Sequence, residues 1–173
     1  MNNINLEAVK KFSEEAQKNP ETAKKVKIVS GEWNFKKGEP QFRAEIKFKN
    51  GAAAVESDSP AFMGGAGLKP DPVQYCLFGL AACFASTFAS ICAENGVELS
   101  KLKVTAESKQ NLAKSLGLSE EPIVEEVKLL TEVQSGAGRE KIKEIEKLAA
   151  ERCPGVYCLT NPIKLVTEIK MLK

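Results

Sequence analysis

From Val73 to Ala93 the chain reads VQYCLFGLAACFASTFASICA, with no charged residue. A helix over this run is long enough to cross a bilayer, which takes roughly 20 apolar residues. Its composition argues otherwise. It is rich in Ala, Ser, Cys and Gly, Gln74 lies inside it, and neither an aromatic belt nor a basic flank brackets it. It therefore reads as a core helix, and no membrane partner is expected. A helix apolar on every side must be covered on every side. Its small residues let another backbone come close. In a chain of 173 residues, complete cover is easier when a second subunit supplies part of it, so a homodimer is expected.

The rest of the chain supplies the cover. Leu6, Val9, Phe12 and Ala16 recur at helical spacing over residues 4–18, and Asn19-Pro20 stops that helix. Residues 25–35 read as a strand. Residues 41–49 alternate, with Phe42, Ala44, Ile46 and Phe48 on one side and Gln41, Arg43, Glu45 and Lys47 on the other. Asn50-Gly51 then signals a hairpin into a third strand. Residues 57–72 form a loop rich in Gly and Pro. After the apolar helix, strands are expected over 101–109 and 123–134, then a helix over 138–152 striped by Ile142, Ile145, Leu148 and Ala149. Cys153-Pro154-Gly155 breaks that helix, and a last strand is expected over 162–171. Strands come in hairpin runs and not in βαβ alternation, which predicts an α+β fold with antiparallel sheets.

Composition narrows the chemistry. There is no histidine, so Ser-His-Asp and Cys-His activation in their usual forms are excluded, as are histidine-containing metal sites. The charge is +2, from 25 basic and 23 acidic residues, which gives no electrostatic reason to expect nucleic acid as partner. Five cysteines, Cys76, Cys83, Cys92, Cys153 and Cys158, are an odd number for a disulfide scaffold. The polar start of the chain lacks the pattern of a signal peptide. The expectation is a cytoplasmic protein whose thiols are reduced at rest.

Cys76 and Cys83 share a helix face but stand about 10 Å apart along it, too far for a disulfide. Cys92 points to the other side. The spacings C-x6-C, C-x8-C and C-x4-C do not suit a four-cysteine zinc site, which uses tighter pairs; no metal and no cofactor are expected. Cys153 ends a helix at a Pro-Gly turn, a context that favours partial access. If that turn faces the Cys83 helix, the two form a nucleophilic and a resolving thiol; taken singly, each is equally a small buried hydrophobe.

The block Pro72-Val-Gln-Tyr-Cys-Leu-Phe-Gly-Leu-Ala-Ala-Cys83-Phe84, preceded by Gly64-Gly65-Ala66-Gly67, resembles the signature of the osmotically inducible protein C / organic hydroperoxide resistance (OsmC/Ohr) family. The later block Glu151-Arg152-Cys153-Pro154, followed by Asn161-Pro162, looks like that family's second cysteine motif. The resemblance covers residues 25–173, an OsmC-like domain, and leaves 1–24 as an N-terminal helical extension. It implies antiparallel sheets wrapped on two central helices in an intertwined homodimer with sites at the subunit interface. It also implies an antioxidant stress-response activity, the reduction of organic hydroperoxides. Cys83 attacks the O–O bond as a thiolate and becomes a sulfenic acid, Cys153 condenses with it to a disulfide, and a dithiol reductant restores both.

Family peroxidases favour the thiolate with an arginine, oriented by a glutamate just after the motif's proline. Arg43 best matches that arginine; Arg152 is the alternative beside Cys153. At the glutamate's place stand Val73 and then Gln74, which hydrogen-bonds but carries no charge. Cys158 has no family role and competes with Cys153 as resolving thiol. Two readings follow: a two-cysteine hydroperoxide reductase, and a binding protein of the same fold that holds a small hydrophobic ligand or senses redox state. The paired cysteines favour the first, the missing glutamate the second.

Overall fold

The structure is a computed structural model and describes residues 1–172. Its elements run in the order α1 (Leu6–Lys18), β1 (Ser30–Trp33), β2 (Phe42–Phe48), β3 (Gly51–Ser57), α2 (Pro72–Glu94), β4 (Leu99–Gln110), β5 (Val124–Ser135), α3 (Arg139–Arg152) and α4 (Pro154–Thr160). The fold is α+β with antiparallel sheets, as the hairpin-like order of strands predicts. The chain divides into two compact units, Asn5–Gly79 in one and Met1–Ile4 with Leu80–Lys173 in the other.

The first unit is built on a three-stranded antiparallel sheet in the order β1-β2-β3. The tight turn expected at Asn50-Gly51 falls one residue earlier, on Lys49-Asn50, and Phe48 pairs with Gly51 across it. The loop from β3 to α2 is tied back on itself. Asp58, 1% exposed, accepts hydrogen bonds at Oδ2 from the amides of Ala66 (3.1 Å) and Leu68 (2.9 Å). Its neighbours reinforce the closure, Ser57 Oγ and the Asp58 amide both donating to the Pro70 carbonyl. The glycine run inside the loop is a backbone requirement. Gly64 and Gly67 have φ of 86° and 66°, the left-handed region that a side chain disfavours, and any Cβ on Gly65 would run into the Ser59 carbonyl.

That loop delivers the chain to α2 through a capping box. Asp71 Oδ1 accepts from the amides of Val73 (2.8 Å) and Gln74 (3.0 Å), and Gln74 Oε1 accepts in return from the Asp71 amide (2.9 Å). Pro72, at the first helical position, has no amide to satisfy and a φ already suited to a helix.

In the second unit, the long antiparallel β4–β5 hairpin packs on the C-terminal half of α2 and on α3. Phe84, Phe88, Ile91 and Cys92 of α2 meet Ile145 and Ala149 of α3, with Val97 and Cys153 in the same cluster. Leu102 and Val104 of β4 and Leu129 and Val133 of β5 close it. The predicted stripe of α3 is the one that packs, with Ile142 and Leu148 at its margin. The first four residues belong here because Asn2 holds the entry to β4: its Nδ2 donates to the Val97 carbonyl (2.9 Å) and its Oδ1 accepts from the Leu99 amide (2.9 Å).

Two expectations are corrected. The strand expected over 25–35 is confined to Ser30–Trp33, and the one expected over 162–171 does not form. Strand geometry needs a hydrogen-bonding neighbour, and among the described residues neither 25–29 nor 162–171 pairs with one. Val26, Ile28, Leu165 and Ile169 are left at least 81% exposed. Within one chain the apolar helix is covered in part. Its buried residues are Leu80, Phe84, Phe88, Ile91, Cys92 and Ala93, while Phe78 is 71% exposed. The stripe of α1 is likewise uncovered, with no buried residue in that helix.

Candidate active site

Cys83 and Cys153 lie 70 residues apart in sequence and come together in the second unit. Cys83 sits near the middle of α2, half-buried, at the margin of the core cluster that contains Cys153. Cys153 closes α3, its amide bonding to the Ala149 carbonyl (2.9 Å), and its own carbonyl accepts from Tyr157 (2.9 Å) as α4 begins. Pro154 follows at the first helical position of α4.

Sequence reasoning expects partial access for Cys153; the structure corrects this, for Cys153 is fully buried. A Pro-Gly pair after a helix suggests an exposed turn, but here the proline restarts a helix at once, and the junction between α3 and α4 is folded onto the core.

Gly155 is the residue that sequence reasoning passes over. A Cβ placed there would meet Leu80 Cδ1 at 3.2 Å, Cys83 Cβ at 3.4 Å and Leu80 Cα at 3.6 Å. The absent side chain is what lets α4 lie against α2 beside the Cys83 thiol. The only signal in the sequence is a small residue directly after the helix-starting proline.

Burial pushes the Cys83 thiol up from its ordinary 9.0 because the charged thiolate loses solvation. The Gly155 amide acts in the opposite direction, favouring the thiolate, while Cys153 and Cys158 both raise it further. No arginine is among the groups that act on Cys83. Arg152 ends α3 as an exposed residue whose charge suits the helix C-terminus. Arg43 lies in the first unit, exposed on β2, with Glu32 and Glu56 opposite it on the two flanking strands. Gln74, the residue after Val73 near the place expected for the family glutamate, is committed to the capping box of α2.

The remaining cysteines separate by environment. Cys92 is fully buried in the core, and burial raises its thiol too. Cys76 is exposed on the first turns of α2, and Cys158 is exposed on α4. What the arrangement offers chemically is a nucleophile of intermediate access with a second thiol directly behind it and a backbone donor beside it.

Solved structures share this α+β fold. The organic hydroperoxide resistance protein OsmC of Legionella pneumophila is 20% identical, over 79% of this chain and 92% of that one, with a TM-score of 0.59. An OsmC-like protein of Mycoplasma pneumoniae is 18% identical over 78% of this chain and 87% of its own, with a TM-score of 0.56. A putative organic hydroperoxide resistance protein of Vibrio cholerae, with captopril bound in one of its active sites, is 18% identical over 79% of this chain and 87% of its own, TM-score 0.56. No curated protein matches the chain. The family model for OsmC-like proteins matches residues 64–168, well over half of the sequence and inclusive of both cysteine motifs. The chain belongs to the OsmC-like family.

Proposed function

We propose that this protein reduces organic hydroperoxides by a two-cysteine mechanism, with Cys83 as peroxidatic and Cys153 as resolving thiol. The observation that carries the reading is their juxtaposition across 70 residues of sequence, with Gly155 keeping the space between α2 and α4 narrow. The Cys83 thiolate attacks the distal oxygen of the hydroperoxide. The O–O bond breaks, an alcohol leaves, and Cys83 becomes a sulfenic acid. Cys153 then displaces water from that sulfur to form the disulfide. A dithiol reductant returns both thiols, and the cycle belongs in a reducing cytoplasm. The hydroperoxide resistance proteins among the fold relatives support the substrate class.

The thiolate needs a cation, because burial alone disfavours it. We assign that role to Arg43, supplied by a second copy. The second copy has its own support. Val26, Ile28, Phe78, Leu165 and Ile169 leave apolar surface in segments with strand or helix pattern and no cover within one chain, and a homodimer would supply it.

A second reading, a binding protein for a small hydrophobic ligand, is favoured by one observation: Gln74 caps α2 and carries no charge with which to orient an arginine. Consumption of cumene hydroperoxide in the presence of dihydrolipoamide separates the two. The peroxidase reading expects turnover by the wild type and none by Cys83→Ser. Equal background rates for both leave the binding reading in possession.

A further inference from the structure

We propose that Cys158 is a relay thiol, which carries the disulfide of the Cys83–Cys153 pair outward to the dithiol reductant. The proposal rests on the two-cysteine reading and addresses what that reading leaves open, namely how a reductant reaches the bond. Cys153 is fully buried and Cys83 is half-buried. Thiol–disulfide exchange needs an attacking thiolate with access to one of the two sulfurs. One sulfur is closed to any external thiol and the other is partly screened by the α4 segment packed on it.

Cys158 is exposed and stands on that same segment. It follows Gly155 by three residues, so the two share a face of α4. Gly155 packs at 3.4 Å from Cys83 Cβ by the position a Cβ would take. Cys158 is therefore carried on the face of α4 that meets α2 beside Cys83. It is also close enough that its charge acts on the Cys83 thiol. Its alternative partner is out of reach. Five residues of helix separate the Cα atoms of Cys153 and Cys158 by about 8–9 Å, beyond the roughly 7 Å that a disulfide spans.

The exchange balances without a further oxidant. The Cys158 thiolate attacks Cys83 Sγ, the Cys83–Cys153 bond breaks, and Cys153 leaves as a thiolate that takes up the proton Cys158 gave to solvent. The oxidising equivalent is now in a Cys83–Cys158 disulfide with one exposed sulfur. A dithiol attacks Cys158 Sγ, Cys83 leaves as thiol, and the second thiol of the reductant closes its own ring disulfide and frees Cys158.

The test separates the half-reactions by stopped flow with stoichiometric cumene hydroperoxide, then dihydrolipoamide, with peptide mapping of alkylation-quenched samples. In Cys158→Ser the Cys83–Cys153 bond still forms, and its reduction slows at least tenfold. In Cys153→Ser a Cys83–Cys158 disulfide is the bond that forms. Reduction of oxidised Cys158→Ser at the wild-type rate, with no Cys83–Cys158 bond in Cys153→Ser, overturns the relay and leaves the two-cysteine reading intact. Failure of every variant and of the wild type to form any bond to Cys83 overturns both.

Discussion

Replacing Asp58 removes the carboxylate that closes the loop before α2. One oxygen, Oδ2, accepts from the amides of Ala66 and Leu68, while the other, Oδ1, is buried without a partner. Hydrogen bonds to a charged group contribute about 1.5–3 kcal/mol each, and a buried unsatisfied group costs about 1–3 kcal/mol. Asp58→Ala loses both bonds and also removes the orphan oxygen, for a net loss of about 2–3 kcal/mol by that arithmetic. Trp33, the one tryptophan, stands on β1 in the same unit and reports urea unfolding by fluorescence. With a slope of about 2 kcal/mol/M, Asp58→Ala shifts the midpoint down by roughly 1–1.5 M. An unchanged midpoint in Asp58→Ala would refute the assignment of the loop's closure to Asp58.

The remaining predictions concern the site and its assembly. Burial already raises the Cys83 thiol from its ordinary value, and in Arg43→Ala it also loses the proposed cation, so the pH midpoint of its alkylation by iodoacetamide rises further. The wild-type midpoint lies lower because a cation favours the thiolate; identical profiles would remove Arg43 from the mechanism. In analytical ultracentrifugation at micromolar concentration the protein sediments as a dimer, and a stable monomer there would count against a second copy covering Phe78, Leu165 and Ile169.

The parts of the fold legible in the sequence are those set by local pattern. The alternation of Phe42, Ala44, Ile46 and Phe48 marks β2, Asn50-Gly51 marks a hairpin after it to within one residue, and the stripe Ile142, Ile145, Leu148, Ala149 marks α3. Period and turn chemistry are properties of neighbouring residues, so one sequence carries them. The parts that are not legible depend on a partner at a distance. Residues 162–171 alternate like a strand, yet a strand exists only beside another strand, and among the described residues none pairs with this segment. Cys153 reads as accessible from its Pro-Gly context, but its burial is decided by the core under α3. Gly155 gives no sign of touching Cys83, and Gln74, weighed as a substitute for a catalytic glutamate, turns out to be a helix cap. The cysteine pair itself emerges from the sequence through resemblance; the contact between its members comes from tertiary structure.

The most direct test is the bond itself. Wild-type protein exposed briefly to one equivalent of cumene hydroperoxide, then alkylated and mapped by mass spectrometry, should show a Cys83–Cys153 cross-linked peptide. That peptide should be missing from Cys83→Ser, and Cys83 should accumulate as sulfinic acid in the Cys153→Ser, Cys158→Ser double variant. A Cys83 recovered as free thiol while Cys153 and Cys158 are found oxidised would contradict a peroxidatic Cys83.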